Sequence, residues 1–360
     1  MKFAIVSVGD YRHISMISKY TEYFDRHNID YDIICTDRYE ETIYPSSNIK
    51  AYHCENMKTK KEKLKMFILF YIWAKNIINQ EKYDFLIIWN ENTAPLFAPL
   101  LLTKYRKRYC VNIRDVDFLN QKTINIVREK VIKASAFSTY CSTAKLDFPK
   151  GYPYVLMRSI NMKILHDTTP RSEFCKPEEK IRIVNIGKIR FPKANKKIIE
   201  ALGNDNRFEL LFIGAGSEKL ESYKEKYNNI TLIGAYLPEE TAYFLADADI
   251  INSYFGTTVY GFERMTSIRF SYGPYLHVPV LVGKGTEMAF EGSKYGFIFA
   301  VDDNDESLGD NLYNWYHSLD FAQFEAGCQR YLHDLENSDK IFYEKLDETV
   351  LTSKQVRKLR

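Results

Sequence analysis

Just after an apolar run, the chain reads RIVNIGKIRFPKANKKIIEAL over residues 182–202. Lys188, Arg190, Lys193, Lys196 and Lys197 fall within ten residues there. The run is strand-like and stops at Gly187. Ala194, Ile198, Ile199, Ala201 and Leu202 then share one side of a helix. Free N–H groups and the helix dipole favour an anion at such a start, and cations in the approaching turn suit a diphosphate. Lys188 and Lys193 flank the turn and read as phosphate ligands. Lys196 and Lys197 read as solvated helix residues. The following strand ends in FELLFIGAGSEKL, where Gly214 and Gly216 would let a ligand approach the backbone. As a dinucleotide fingerprint this lacks a third glycine and does not follow the first strand of its domain, which disfavours an NAD enzyme.

A second group of candidates follows strand ends in the first half. Gly9 and Asp10 come after the opening strand, Asn90 and Glu91 after LIIW, and Arg114, Asp115 and Asp117 after CVNI. A hydroxyl attacking an activated carbon must lose a proton, and a positioned carboxylate can take it. Asp10 and Glu91 are the candidate bases. Asp115 is either a third or half of an ion pair with Arg114. His13 reads as a capping or surface residue. Asp115–Val116–Asp117 spells a metal motif, but no metal is expected. The six cysteines are scattered with no zinc spacing, as free thiols in a reducing cytosol would be.

The elements that must position these groups alternate. Strands are expected at 3–8, 31–36, 50–53, 85–89, 109–113 and 136–141, with helices at 13–27, 57–80, 93–104 and 121–134. After a linker at 161–180 the pattern restarts. Strands are expected at 181–186, 209–213, 231–233, 250–252, 278–282 and 296–301, with helices at 194–203, 217–227, 238–247, 267–276 and 286–294. From about 305 the chain is helical. Buried strands separated by helices imply α/β architecture with two doubly wound parallel sheets. The expected domains are 1–165, 175–320, and a helical segment 321–360 that packs back towards the first. Two such domains in tandem would face a cleft, with ligands at the strands' carboxyl ends.

Lys plus Arg number 50 and Asp plus Glu 47 in 360 residues, which argues against a nucleic-acid binder. No apolar run approaches the ~18 residues that span a bilayer, and the N-terminus is not a signal peptide, so a cytoplasmic protein is expected. The segment MKTKKEKLKMFILFYIWAKNIINQ at 57–80 opens with Lys58, Lys60, Lys61, Lys63 and Lys65 and turns aromatic. It could lie on an anionic membrane at the inner face, with KYRKRY at 104–109 adding charge, or pack as an ordinary helix.

The order of motifs over about 180–305 resembles GT-B glycosyltransferases, in particular the large retaining family with many bacterial capsule and exopolysaccharide enzymes. That family shows a strand, then G-R-x4-K-G, matched by Gly187, Lys188 and Lys193. Lys replaces Arg, and Ala194 replaces the last Gly. A strand ending in G-x-G matches Gly214 and Gly216. ITLIGAYLPEE, TAYFLADADIINSYF and SIRFSYGPYLHVPVLV follow in the family order. Two departures stand out. The second glutamate of E-x7-E is Tyr272, and the first falls near Glu263 and Arg264. Arg269, ten before Pro279, matches a basic residue that some members use against the diphosphate. GKGTEMAFEGSKYGFIF resembles the donor-side loop and helix, which implies donor contacts from Gly285, Thr286 and Glu287, with Thr286 also a helix cap. The resemblance implies a metal-independent hexosyltransferase in bacterial surface glycan synthesis. It takes a nucleotide-sugar, a UDP-sugar by expectation, and a glycan or lipid-linked acceptor held in the first half by Gly9, Asn90 and Arg114. Competing readings are a non-catalytic partner subunit and a UDP-sugar epimerase.

Overall fold

The computed structural model describes residues 1–11, 14, 16–38, 44, 46–54, 59–90, 93–114, 122–141, 151–158, 162–166, 168–257 and 266–358. Two compact units form. The first comprises Met1–Cys141, Lys145–Arg158 and Ser338–Arg360, and the second Ser142–Ala144 and Ser159–Asn337.

The first unit holds β1 (Lys2–Asp10), α1 (Ser18–Arg26), β2 (Asp30–Asp37), β3 (Ile49–His53), α2 (Lys60–Glu81), β4 (Phe85–Trp89), α3 (Thr93–Leu96), α4 (Ala98–Leu102), β5 (Tyr109–Ile113), α5 (Lys122–Ala134), β6 (Phe137–Tyr140) and β7 (Tyr154–Leu156). Its seven strands are parallel, in the order β3-β2-β1-β4-β5-β6-β7. Every residue of β4 is buried, as expected of a strand covered on both faces. The direction of the winding reverses between β1 and β4, which is where open α/β sheets take ligands.

Helix α2 starts at a capping box, Thr59 and Glu62 each satisfying the other's backbone N–H. Met66, Phe70, Ala74 and Ile78 recur every four residues and are buried in the core. Leu64, Ile68, Leu69 and Ile72 are exposed. The expected helix at 93–104 is instead two, broken at Phe97. Pro99 has no N–H to give to residue 95, and its ring crowds that carbonyl. Strand β7 was not expected. It is three residues long and follows Pro153, too short for a periodic signal.

The second unit holds β8 (Ile181–Ile186), α6 (Pro192–Leu202), β9 (Phe208–Ile213), α7 (Glu221–Lys226), β10 (Ile230–Ile233), α8 (Thr241–Ala246), β11 (Ile250–Asn252), α9 (Ile268–Leu276), β12 (Val280–Gly283), α10 (Glu287–Ser293), β13 (Ile298–Val301) and α11 (Leu308–Ser318). Its sheet is parallel in the order β10-β9-β8-β11-β12-β13, with the reversal between β8 and β11. The chain ends in α12 (Phe321–Lys358), 38 residues long. Phe324, Cys328, Tyr331 and Leu335 of this helix lie in the second unit's core, and Phe342, Leu346 and Val350 in the first's.

Candidate functional site

A cavity of about 570 Å³ opens in the second unit, lined by residues that follow the carboxyl ends of β8, β9, β10 and β11. Its floor is set by two nested turns. Gly187 ends β8 at φ +103°, and Gly214 ends β9 at φ +134°. A Cβ on Gly214 would sit 2.0 Å from the Gly187 carbonyl oxygen, and one on Gly216 2.6 Å from that of Ile189. The Ile189 N–H donates to the Ala215 carbonyl at 2.9 Å. Gly214 and Gly216 thus allow one turn to lie on the other.

Three cations line this cavity: Lys188, Arg190 and Arg269. Arg269 stands one residue inside α9, whose first turn is capped by the Ser267 hydroxyl accepting from Phe270 N–H. Its guanidinium donates to Asn185 Oδ1 and lies 5.1 Å from the centre of the Phe255 ring, itself 4.8 Å from Phe191. Asn185 is held by Asn195, which in turn donates to the Arg190 carbonyl at 2.7 Å. A polar string from β8 and α6 therefore orients Arg269. Burial among protein atoms lowers its pKa to about 10. The Arg190 charge lowers it too, and Tyr236 opposes the shift. A guanidinium so desolvated gains from an incoming anion, because an opposite charge offsets its lost hydration.

The loop carrying Phe255 is itself clamped. The Tyr254 and Thr257 hydroxyls donate to the Asp303 carboxylate. Burial works to raise the Asp303 pKa, but these hydrogen bonds prevail and hold it below the usual carboxylate range. The cavity also takes in Tyr236, Tyr272, Thr241, Thr266 and Ser267. Tyr272, noted in the sequence as a departure from the resembled E-x7-E pattern, lines it too, and burial pushes its phenol up.

Of the expected donor residues, Gly187, Lys188 and Arg269 come together in the cavity wall. Gly214 and Gly216 shape it from behind. Lys193 is exposed on α6 and lies outside the lining. Gly285, Thr286 and Glu287 also lie outside it. Thr286 caps α10, accepting from Ala289 N–H and donating to the Gly283 carbonyl at 2.6 Å. Lys196 pairs with Glu200 at 3.6 Å, and the Lys197 ammonium donates to the Asp305 carbonyl. Arg190, Tyr236, Phe255 and the Asn185–Asn195 pair were not anticipated as site residues. An arginine two residues beyond Lys188 in the same turn was the one available signal.

In the first unit, Gly9 and Asp10 end β1, Asn90 follows β4 and Arg114 follows β5. The first unit's sheet thus brings these groups to the carboxyl ends of neighbouring strands. Asp10 is buried and accepts from Arg38 N–H at 2.9 Å. Asn90, at φ +61°, accepts from the Thr93 N–H at 3.1 Å and starts α3. The Arg114 guanidinium lies 5.8 Å from the Trp89 ring centre. Glu91, Asp115, Asp117, His13, Glu263 and Arg264 lie outside the described residues. Among the described residues no group of three or more His, Cys, Asp or Glu could hold a metal ion, and no helix is long and apolar enough to cross a membrane.

Sucrose-phosphate synthase from Thermosynechococcus elongatus matches 100% of this chain with 99% of its own, at TM-score 0.69 and 11% identity. The chain has the GT-B fold. Anabaena HepE, solved in complex with UDP, matches the GT-B frame over 96% of this chain and 99% of its own, at TM-score 0.68 and 11% identity. WaaG, a glycosyltransferase involved in lipopolysaccharide biosynthesis, matches 93% of this chain and 95% of its own at TM-score 0.62 and 12% identity. A candidate UDP-N-acetylglucosamine 2-epimerase from Listeria monocytogenes shares the frame at TM-score 0.57 and 14% identity, over 92% of this chain and 94% of its own. No family model and no curated protein matches.

Proposed function

We propose that this chain transfers a sugar from a nucleotide-sugar, a UDP-sugar, to a glycan acceptor. The observation that carries the reading is Arg269, set in the cavity with Lys188 and Arg190 at the point where the second sheet reverses. A sugar leaves with its diphosphate as the departing group, and fixed cations stabilise the charge that develops there. A planar guanidinium suits two phosphate oxygens at once. With three cations serving the diphosphate, the reading requires no metal. HepE was solved with UDP, which favours uridine for the nucleotide.

The acceptor hydroxyl belongs at the carboxyl ends of the first sheet, held by Gly9, Asn90 and Arg114. Asp10, Glu91 or Asp115 would take its proton if the reaction inverts; in a retaining reaction the departing phosphate serves. The exposed apolar face of α2, flanked by lysines, supports a lipid-linked acceptor met at the inner face of the membrane, in surface polysaccharide synthesis. Epimerisation of a UDP-sugar is the weaker reading. It needs a base against the sugar, whereas the described cavity residues offer cations, rings and hydroxyls. The test is a thermal melt with a panel of nucleotide-sugars, followed by product analysis. Stabilisation by a UDP-sugar and sugar release onto an acceptor are expected. Stabilisation without turnover on any acceptor would favour a non-catalytic partner subunit, and no stabilisation by any nucleotide would overturn the proposal.

A further inference from the structure

Beside the cation-lined cavity, aromatic rings run outward in steps. Tyr236 lines the cavity and meets Phe244 edge-on, ring centres 5.6 Å apart. Phe244 meets Tyr243 at 5.3 Å, again edge-on. Tyr243 is 77% exposed and Leu237 66%, the two most exposed large apolar side chains among the described residues. Single exposed apolar residues are ordinary, but a connected set that starts inside a cavity marks a binding surface. Most of Tyr243 stands in solvent, and its hydroxyl has no partner among the described residues.

The surrounding charge selects the occupant. Glu239 and Glu240 are exposed in the same turn, and Glu240 also accepts from Leu237 N–H at 2.7 Å. Carboxylates repel phosphates and anionic lipid, so this patch has the opposite character to lysine-flanked α2. A pyranose ring offers an apolar C–H face and a rim of hydroxyl donors. An exposed tyrosine ring with carboxylates in the preceding turn matches both.

We propose that Tyr236, Leu237, Tyr243 and Phe244 form a track for a neutral saccharide chain leading to the cavity, so that the second unit holds part of a neutral glycan acceptor. The assignment rests on the transferase reading for its purpose, and on its own residues for its binding.

The test titrates neutral oligosaccharides of glucose, galactose, mannose and N-acetylglucosamine into the full chain with UDP present, read by saturation-transfer NMR and calorimetry. Tyr243→Ala should weaken saccharide binding about tenfold, a loss of the size that one aromatic contact gives. Tyr243→Phe should retain most of it. UDP binding should be unchanged in both, and Arg269→Ala should show the reverse pattern. The track is overturned if no neutral oligosaccharide binds, if Tyr243→Ala binds them as well as the unaltered chain, or if that change instead weakens UDP or anionic vesicles. Failure of the unaltered chain to bind UDP would sink the transferase reading and leave the track to its own titration.

Discussion

Arg269 concentrates the chemistry of the second unit in one side chain. Among the described residues its guanidinium hydrogen-bonds to a neutral amide, Asn185, and the Arg190 charge acts against it. Replacing it with Ala should weaken UDP about 10- to 100-fold, the range for losing hydrogen bonds to a charged group. Calorimetry checks this, and unchanged affinity would remove Arg269 from the site. Lys188 could be singled out in the sequence because cations gather at its strand-to-helix turn, and Arg269 because its spacing before Pro279 matches that of the resembled family. The amide string that orients Arg269 could not. Asn185 and Arg269 are 84 residues apart, and an asparagine in a strand carries no mark of a distant partner.

Among the elements, the nested turns after β8 and β9 are tightly constrained. Gly214→Ala would combine a positive φ with a Cβ 2.0 Å from a carbonyl oxygen, which should cost about 2–4 kcal/mol and lower the Tm by several degrees. Gly234→Ala meets no atom within 4 Å and is the control. A melt that fails to separate the two would refute the nesting. Gly214 and Gly216 were read as making room for a ligand; the room they make is for the neighbouring turn. The strands were legible because parallel strands read as unbroken apolar runs, while the break at Phe97 turned on Pro99. Helix α2 buries Met66, Phe70, Ala74 and Ile78 and exposes Leu64, Ile68, Leu69 and Ile72, the face proposed to meet a membrane. Changing Leu64, Ile68 and Ile72 to Asp should abolish sedimentation with anionic vesicles and leave the melt unchanged, since all three are exposed. Equal sedimentation of altered and unaltered chains would exclude α2 as the contact.

For the molecule as a whole, α12 is the decisive element, because its second half completes the core of the first unit. Phe342 is fully buried there, with its ring centre 5.1 Å from that of Tyr20. Phe342→Ala should cost about 3–5 kcal/mol, measured by denaturant unfolding, and a loss under ~1 kcal/mol would contradict that packing. The helical pattern after residue 305 was plain in the sequence, but its division between two cores was not, since periodicity gives a face and not the surface it meets. The division also sets a timetable. The segment that finishes the first sheet's cover is synthesised about 180 residues after Arg158. At ~5–20 residues per second, the nascent chain waits roughly 10 to 40 s with Phe3, Ile5 and Phe85 short of their last neighbours. During that interval the ribosome-bound chain presents a sticky surface, and yield in cells should depend on how well chaperones shield it.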